Sequence, residues 1–253
     1  MRLFALSDVH VDYEANFKWV RNLSRIDYRD DVLILAGDVT HHQSQLAACL
    51  DTLVGRFRNV LFVPGNHDLW VWGEEREQTS LHKFARVVAT VEASGAVMQP
   101  SWYGQTLIVP LLGWYDYSFG APSEELRQMW MDYRACRWPE KFEVEDVAAH
   151  FAGLNREVAP AAATRVITFS HFLPRVDLVP AFVPARHRVL DPVLGSTRLE
   201  RRLRQLRSTL HIYGHSHINR RVRLDGVTYV NNAFGYPSES GMTARELLCV
   251  AEI

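Results

Sequence analysis

Val60-Leu61-Phe62-Val63-Pro64-Gly65-Asn66-His67-Asp68 runs from an apolar segment through a sharp break into three polar groups. Four consecutive apolar residues predict a buried strand, and Pro64-Gly65 ends it abruptly. An amide, an imidazole and a carboxylate follow side by side. In an open α/β sheet, ligands bind just beyond the carboxyl ends of the strands, so this is where chemistry is expected. Alone, the triplet reads equally well as a polar strand-to-helix loop. What gives it meaning is that the same arrangement recurs along the chain.

Arg2 to Ser7 is strand-like and ends at Asp8-Val9-His10; Asp31 to Ala36 is a second buried strand, closed by Gly37-Asp38. Arg165 to Phe169 ends at Ser170-His171, and Leu210 to Tyr213 ends at Gly214-His215-Ser216-His217. Between them lie segments with apolar residues at steps of three and four: Glu14 to Leu23, Leu46 to Phe57, Glu75 to Ala93, Val144 to Val158 and Thr197 to Leu206. Gln105 to Leu112 and Glu246 to Ala251 read as further strands, and Asp225-Gly226 signals a hairpin. Alternating strands and helices predict a layered α/β fold with parallel strands. A single sheet edge could gather all five polar strand ends.

Composition narrows the function. The 253 residues are 47% hydrophobic with a formal charge of −1, enough for a sizeable core and without a global basic field. Nucleic acid is therefore not expected as a partner, and no basic run supplies a groove for it. No apolar run approaches the ~18 residues of a membrane span, and the start of the chain lacks a secretory pattern. A soluble, cytoplasmic protein is expected. Cys49, Cys136 and Cys249 are scattered and odd in number, which suits reduced thiols.

The strand ends together offer Asp8, His10, Asp38, Asn66, His67, His171, His215 and His217. Residues two apart on an extended segment face the same side, so Asp8 and His10 chelate together if the chain stays extended there. In the tight turn at Gly214, His215 and His217 can diverge to neighbouring ions. Three or four imidazoles, two carboxylates and an amide oxygen exceed one tetrahedral zinc and suit two ions of intermediate hardness. Two divalent ions ~3.5–4 Å apart repel by on the order of 15–20 kcal/mol at an effective dielectric of ~20. A bridging anion has to offset that, and Asp38 is the best candidate.

The series Asp-x-His, Gly-Asp, Gly-Asn-His-Asp, a lone His and Gly-His-Ser-His, in this order from Asp8 to His217, resembles the calcineurin-like metallophosphoesterase superfamily. The resemblance implies a two-sheet β-sandwich flanked by helices, in one domain over residues 1–253. It implies Asp8, His10, Asp38 and His217 on a first metal, and Asp38, Asn66, His171 and His215 on a second. The expected activity is hydrolysis of a phosphodiester or phosphomonoester by a hydroxide bridging two divalent ions (manganese, iron, nickel, cobalt or zinc). His67, beside a ligand, is expected to protonate the leaving group or to hydrogen-bond the transition-state oxygen, and Asp68 is expected to orient a neighbouring imidazole. A small phosphate ester is the expected substrate; a protein partner is not specified. A catalytically silent scaffold on the same fold is the alternative, and such a chain would be expected to lack ligands or His67.

Softer expectations surround these. His41 and His42 either touch substrate or form a solvated helix start, and Trp70 and Trp72, just past His67, either wall the pocket or, the preferred reading, pack. The aromatic interval from Trp114 to about residue 140 could cap the sheet end or form a satellite of the core. Pro174 to Pro192 reads as a long ordered loop whose Arg175, Arg186 and Arg188 are placed to meet a phosphate. Arg198, Arg201, Arg202, Arg204 and Arg207 read as a solvated helix face.

Overall fold

A computed structural model describes residues 1–72, 78–239 and 241–253. The first half alternates as the apolar periodicity predicts: β1 (Arg2–Leu6), α1 (Glu14–Arg21), β2 (Val32–Ala36), α2 (Gln43–Val54), β3 (Asn59–Val63) and α3 (Ser80–Ser94). Next come β4 (Ser101–Tyr103), β5 (Thr106–Pro110), α4 (Glu124–Met129), α5 (Asp132–Ala135), α6 (Val144–Gly153) and β6 (Arg165–Phe169). The chain finishes with α7 (Asp191–Leu194), α8 (Thr197–Gln205), β7 (Leu210–Tyr213), β8 (Arg220–Leu224), β9 (Val227–Asn231) and β10 (Leu248–Glu252). The expected start of the third helix at Glu75 lies outside the described residues. The described helix begins at Ser80, where the Thr79 hydroxyl accepts the His82 N–H at 3.2 Å, and it ends on Gly95 in the left-handed conformation.

The strands form two sheets, not one. The first has the order β10-β1-β2-β3 and the second β4-β5-β6-β7-β9-β8. β1, β2 and β3 are parallel, as are β5, β6, β7 and β9, while antiparallel strands close the edges at β10, β4 and β8. Asp225 and Gly226 both have positive φ, 47° and 85°, which suits the two-residue turn predicted between β8 and β9.

Period-two alternation explains why the strands read as continuous apolar runs. Leu3, Ala5, Val32, Ile34, Leu61 and Val63 of the first sheet cluster with Ile108, Ile167, Phe169, Leu210, Ile212 and Val230 of the second. The intervening Phe4, Leu6, Leu33, Leu35, Val60 and Phe62 belong to a second cluster with the helix residues Val20, Leu46, Leu50, Leu53 and Val87. The central strands β1, β2 and β3 are therefore covered on both faces, one by the other sheet and one by helices. This is the sandwich flanked by helices that the motif series implied.

The carboxyl ends of both sheets meet. Ser7, just past β1, donates its N–H to the Asn232 carbonyl just past β9, at 3.0 Å. Polar strand ends from the two sheets therefore converge at one place: Asp8, Asp38 and Asn66 from the first, His171, His215 and His217 from the second. Among the described residues no helix is long and apolar enough to cross a membrane. Cys49 and Cys136 are buried, Cys249 is exposed, and all three are free thiols.

Candidate metal centre

The loops that carry these groups are wired to one another through the backbone. The N–H of Asp8 donates to the Gly37 carbonyl at 2.9 Å and that of His10 to the Asp38 carbonyl at 3.1 Å. The N–H of His215 is shared between the two carboxylate oxygens of Asp8, at 3.0 and 3.2 Å. Asp8 and His10 do not lie on an extended segment: their φ values, 53° and 44°, are left-handed, so a turn brings them together in place of strand alternation. Gly65 permits the close approach of the β3 loop. A Cβ there would sit 2.1 Å from Asp38 Oδ1.

Two groups of donor atoms result, each within 4.8 Å of one another: Asp8, His10 and His217 in one, Asp38, His171 and His215 in the other. In the first, His217 Nε2 lies 3.3 Å from Asp8 Oδ1 and 3.3 Å from His10 Nε2. In the second, His171 Nε2 lies 3.4 Å from Asp38 Oδ2, 3.0 Å from His215 Nδ1 and 3.1 Å from Asn66 Oδ1. His215 and His217 thus diverge from their shared turn to different groups.

The outward sides of these ligand candidates reveal what the inward sides want. His171 Nδ1 donates to the Ala36 carbonyl at 2.9 Å and His215 Nε2 to the Val193 carbonyl at 3.1 Å. His217 Nδ1 donates to Glu239 Oε2 at 2.7 Å, and Asn66 Nδ2 donates to Asp132 Oδ1 at 2.9 Å. With the N–H used outward, each neutral group turns a lone pair inward, beside two carboxylates. Lone pairs meeting at 3.0–3.4 Å are repulsive unless positive charge lies between them. The residues therefore fit divalent cations, with nitrogen and oxygen donors and no thiolate.

The electrostatics agree. Burial works against the charge on Asp8, but His217 holds its carboxyl down at about 2. Asp38 is buried too and still lies well below the usual carboxylate range, chiefly through His171 and His67. Burial alone would lower both His171 and His217, yet Asp38 raises the first to about 9, and Asp8 with Glu239 raises the second to about 10. The two buried anions draw positive charge inward, carried by protons on His171 and His217 where no cation takes their place. His215, where burial and His171 act together, falls to about 3.

His67 stands beside both groups. Its ring stacks on Trp70 with centroids 3.6 Å apart and meets the His10 ring edge-on at 4.8 Å. Its Nε2 lies 3.9 Å from Asp38 Oδ2 and 3.4 Å from the Tyr236 hydroxyl. Its backbone N–H donates to Asp38 Oδ1 at 3.0 Å. The side chain is 17% exposed, so a ligand entering the site can reach it.

Several expectations need correction. Among the described residues Asp68 orients no imidazole. Its carboxylate accepts four backbone N–H groups, from Asp38, Val39, Thr40 and Gly65, at 2.8–3.0 Å, and so ties the β2 loop to the β3 loop. Arg175 is not poised for a phosphate: Asp177 and Asp225 hold its guanidinium, with Glu200 at 3.5 Å. Arg188 pairs with Asp191, and the exposed Arg186 donates to the His187 ring. Trp70 does more than pack, since it backs His67 and donates to Asp132 at 2.6 Å, whereas Trp72 is 52% exposed. His41 contributes its carbonyl to the Lys83 ammonium at 2.6 Å, and His42 leads into α2 without capping it through its side chain.

The aromatic interval divides. Trp114 and Tyr115 are core residues at 1% and 2% exposure. Trp130 instead meets the His215 ring edge-on at 5.7 Å. Arg198 pairs with Asp116, Arg202 with Glu157 and Arg204 with Glu200, so these three α8 arginines are engaged with neighbouring acids as well as with solvent. Sequence reasoning missed Asp132, Tyr236 and Glu239. The only signal for Asp132 was an acid two residues from Trp130; Tyr236 and Glu239 lie beyond the last motif and carried none.

The chain is similar to known proteins in sequence and in fold. The family model described as calcineurin-like phosphoesterase matches residues 1–219. The acyl-carrier-protein phosphodiesterase PptH of Mycobacterium tuberculosis is 29% identical over 263 residues, covering 94% of this chain and 78% of that protein. The crystal structure of phosphopantetheinyl hydrolase PptH from the same organism superposes with a TM-score of 0.77 at 26% identity, covering 94% of this chain and 90% of that one. The protein TT1561 of Thermus thermophilus shares the fold at a TM-score of 0.52 and 18% identity, covering 98% and 94% of the two chains. With the motif series in place from Asp8 to His217 and the match spanning most of its length, the chain belongs to the calcineurin-like phosphoesterase family.

Proposed function

We propose that this phosphoesterase is a dinuclear phosphodiesterase whose substrate is a phosphopantetheinylated acyl-carrier protein. The observation that carries the chemistry is the pair of donor groups in which Asn66, His171, His215 and His217 commit an N–H outward and turn their other donor atom inward, beside the carboxylates of Asp8 and Asp38. Asp8, His10 and His217 would hold one cation and Asn66, His171 and His215 the other, with Asp38 shared between them. When bound, divalent cations neutralise charge on phosphate oxygens and lower the pKa of water. Manganese, iron, nickel, cobalt and zinc all suit such donors.

His67 serves as proton donor to the leaving oxygen, its ring held flat against Trp70 and its Nε2 facing the site. Asp38 fixes it from the other side by accepting its backbone N–H. Residues 1–253 act as one phosphoesterase domain, with the interval 114–140 flanking the site. A diester is favoured over a monoester because two of the three guanidinium groups expected to meet a phosphate, those of Arg175 and Arg188, are engaged with Asp177, Asp225 and Asp191. The similarity to PptH over 94% of the chain supports the carrier-protein substrate, in place of the small ester first expected.

The test is to incubate purified protein and divalent metal with phosphopantetheinylated carrier protein, and separately with model mono- and diesters. Intact-mass analysis should show loss of the phosphopantetheinyl group, and faster turnover of monoesters than diesters would refute the diester assignment. Asp38→Asn should lose activity together with at least one metal per chain; a variant that keeps two tightly held ions would refute the shared carboxylate.

A further inference from the structure

Asn66 is the one neutral, non-imidazole group among the donors, and its amide is nearly symmetric in shape. Turned by half a rotation it would present two N–H donors to the cluster and no lone pair. Something has to choose the orientation. The imidazoles of His171, His215 and His217 are each set by a carbonyl or carboxylate on the outward nitrogen. For Asn66 the corresponding partner is Asp132, which comes from the aromatic interval, 66 residues along the chain.

Asp132 is 2% exposed and surrounded by donors. Its Oδ1 accepts from Asn66 Nδ2 at 2.9 Å and from Trp70 Nε1 at 2.6 Å, while Oδ2 accepts from Trp130 Nε1 at 2.9 Å. Three N–H donors converge on it, so the carboxylate has to stay an acceptor on both oxygens. Trp130 anchors it on one side and also meets His215 edge-on. Trp70, held by the same oxygen as Asn66, is the ring on which His67 stacks.

We propose that Asp132 is a positioning residue for the cation site: it locks the Asn66 amide with Oδ1 facing His171 before any cation arrives, and through Trp70 it fixes the ring behind His67. This rests on the reading of Asn66 as a cation-holding group. It gives the aromatic interval a task, since Trp130 and Asp132 together brace one side of the second donor group. The carboxylate does not touch substrate or cation.

Calorimetric titration of the metal-free chain with zinc or manganese tests it. Asp132→Asn keeps the volume but puts an amide N–H₂ against at least one of three N–H donors. It should weaken one of the two cations by about 10–100-fold, as outer-sphere partners typically do, and leave the other unchanged. In an Asn66→Ala background the same substitution should add less than about twofold, because the group it acts through is gone. Unchanged affinity for both ions in Asp132→Asn, with only a lower melting temperature, would overturn the proposal. So would an undiminished effect in the Asn66→Ala background.

If Asn66→Ala itself binds both ions like the unaltered chain, it is the reading of Asn66 that fails, and the two failures are distinguishable. Should Asp132→Asn not fold, the unaltered chain carries the test by ¹⁵N NMR. The Asn66 side-chain amide should be protected from solvent exchange without zinc as well as with it. Protection that appears only on adding zinc would mean that the cation, not Asp132, turns the amide.

Discussion

Replacing Asp68 by Asn changes one atom in a carboxylate that holds two loops together, and the consequence can be worked from its contacts. Oδ1 accepts the N–H groups of Val39 and Thr40, and Oδ2 those of Asp38 and Gly65. An amide keeps one oxygen, so two of these bonds survive. At the other position its N–H₂ points at two backbone N–H groups that have no water to turn to, because Asp68 is fully buried. Each buried donor left unsatisfied costs about 1–3 kcal/mol, so the variant should lose ~2–6 kcal/mol.

Against a total stability of about 5–15 kcal/mol, that is a large fraction. At roughly 2–4 °C per kcal/mol for a chain of this size, the melting temperature should fall by on the order of 5–20 °C. The measurement is urea unfolding with and without a chelator, so that loss of bound metal is separated from loss of the two bonds. A midpoint unchanged in chelator would show that the backbone groups are satisfied some other way, and the wiring of the β2 and β3 loops through Asp68 would be wrong.

His67→Ala should keep its metal content while activity on poor leaving groups falls by ~10²–10⁴-fold and on p-nitrophenyl esters much less; equal losses across leaving groups would remove the proton-donor role. Burial works to raise the Asp31 carboxyl, but hydrogen bonds from the Arg2 side chain and backbone hold it below the usual range. A lowered folded pKa stabilises above the unfolded value and is lost as pH falls through the folded one. The stability gap between the native chain and Asp31→Asn should therefore be full near neutrality and close below about pH 4; a gap independent of pH would refute this. Arg207→Gly should stabilise the chain by ~0.5–1 kcal/mol in denaturant unfolding, because Arg207 takes the left-handed position after α8 that glycine fills best.

Much of this is legible in the sequence, for a physical reason. Strands covered on both faces have to be apolar throughout, so Val32–Ala36 and Asn59–Val63 announce themselves, and the polar residues that follow stand out at their ends. Proximity between distant segments is another matter. Asp132 reaches Asn66 across 66 residues, and Arg175 is claimed by Asp225 across 50; no period or spacing encodes either. Ser101–Tyr103 escaped because three residues are too few for an alternation to register. Asp68 was visible but misassigned: its neighbours in sequence suggested an imidazole partner, whereas the fold surrounds it with the backbone of the β2 loop.

The backbone explains why these residue types stand at the strand ends. Nine non-glycine residues have positive φ among those described, and five of them are Asp8, His10, Asp38, His215 and His217. At about 1–2 kcal/mol each, five left-handed residues amount to on the order of 5–10 kcal/mol, comparable to the stability of a whole domain. Asp, Asn and His tolerate that region better than other side chains, and the first and last of these are also strong metal ligands. Each turn is further held by bonds made only in this fold: Asp8 N–H to Gly37, His10 N–H to Asp38, Asp38 N–H to Asp68, His215 N–H to Asp8. Glycine at any of these positions would relieve the backbone and remove the donor atom in the same step. Strain and ligand set are therefore inseparable at the site, whereas at Arg207 the left-handed turn serves no donor and glycine relieves it freely.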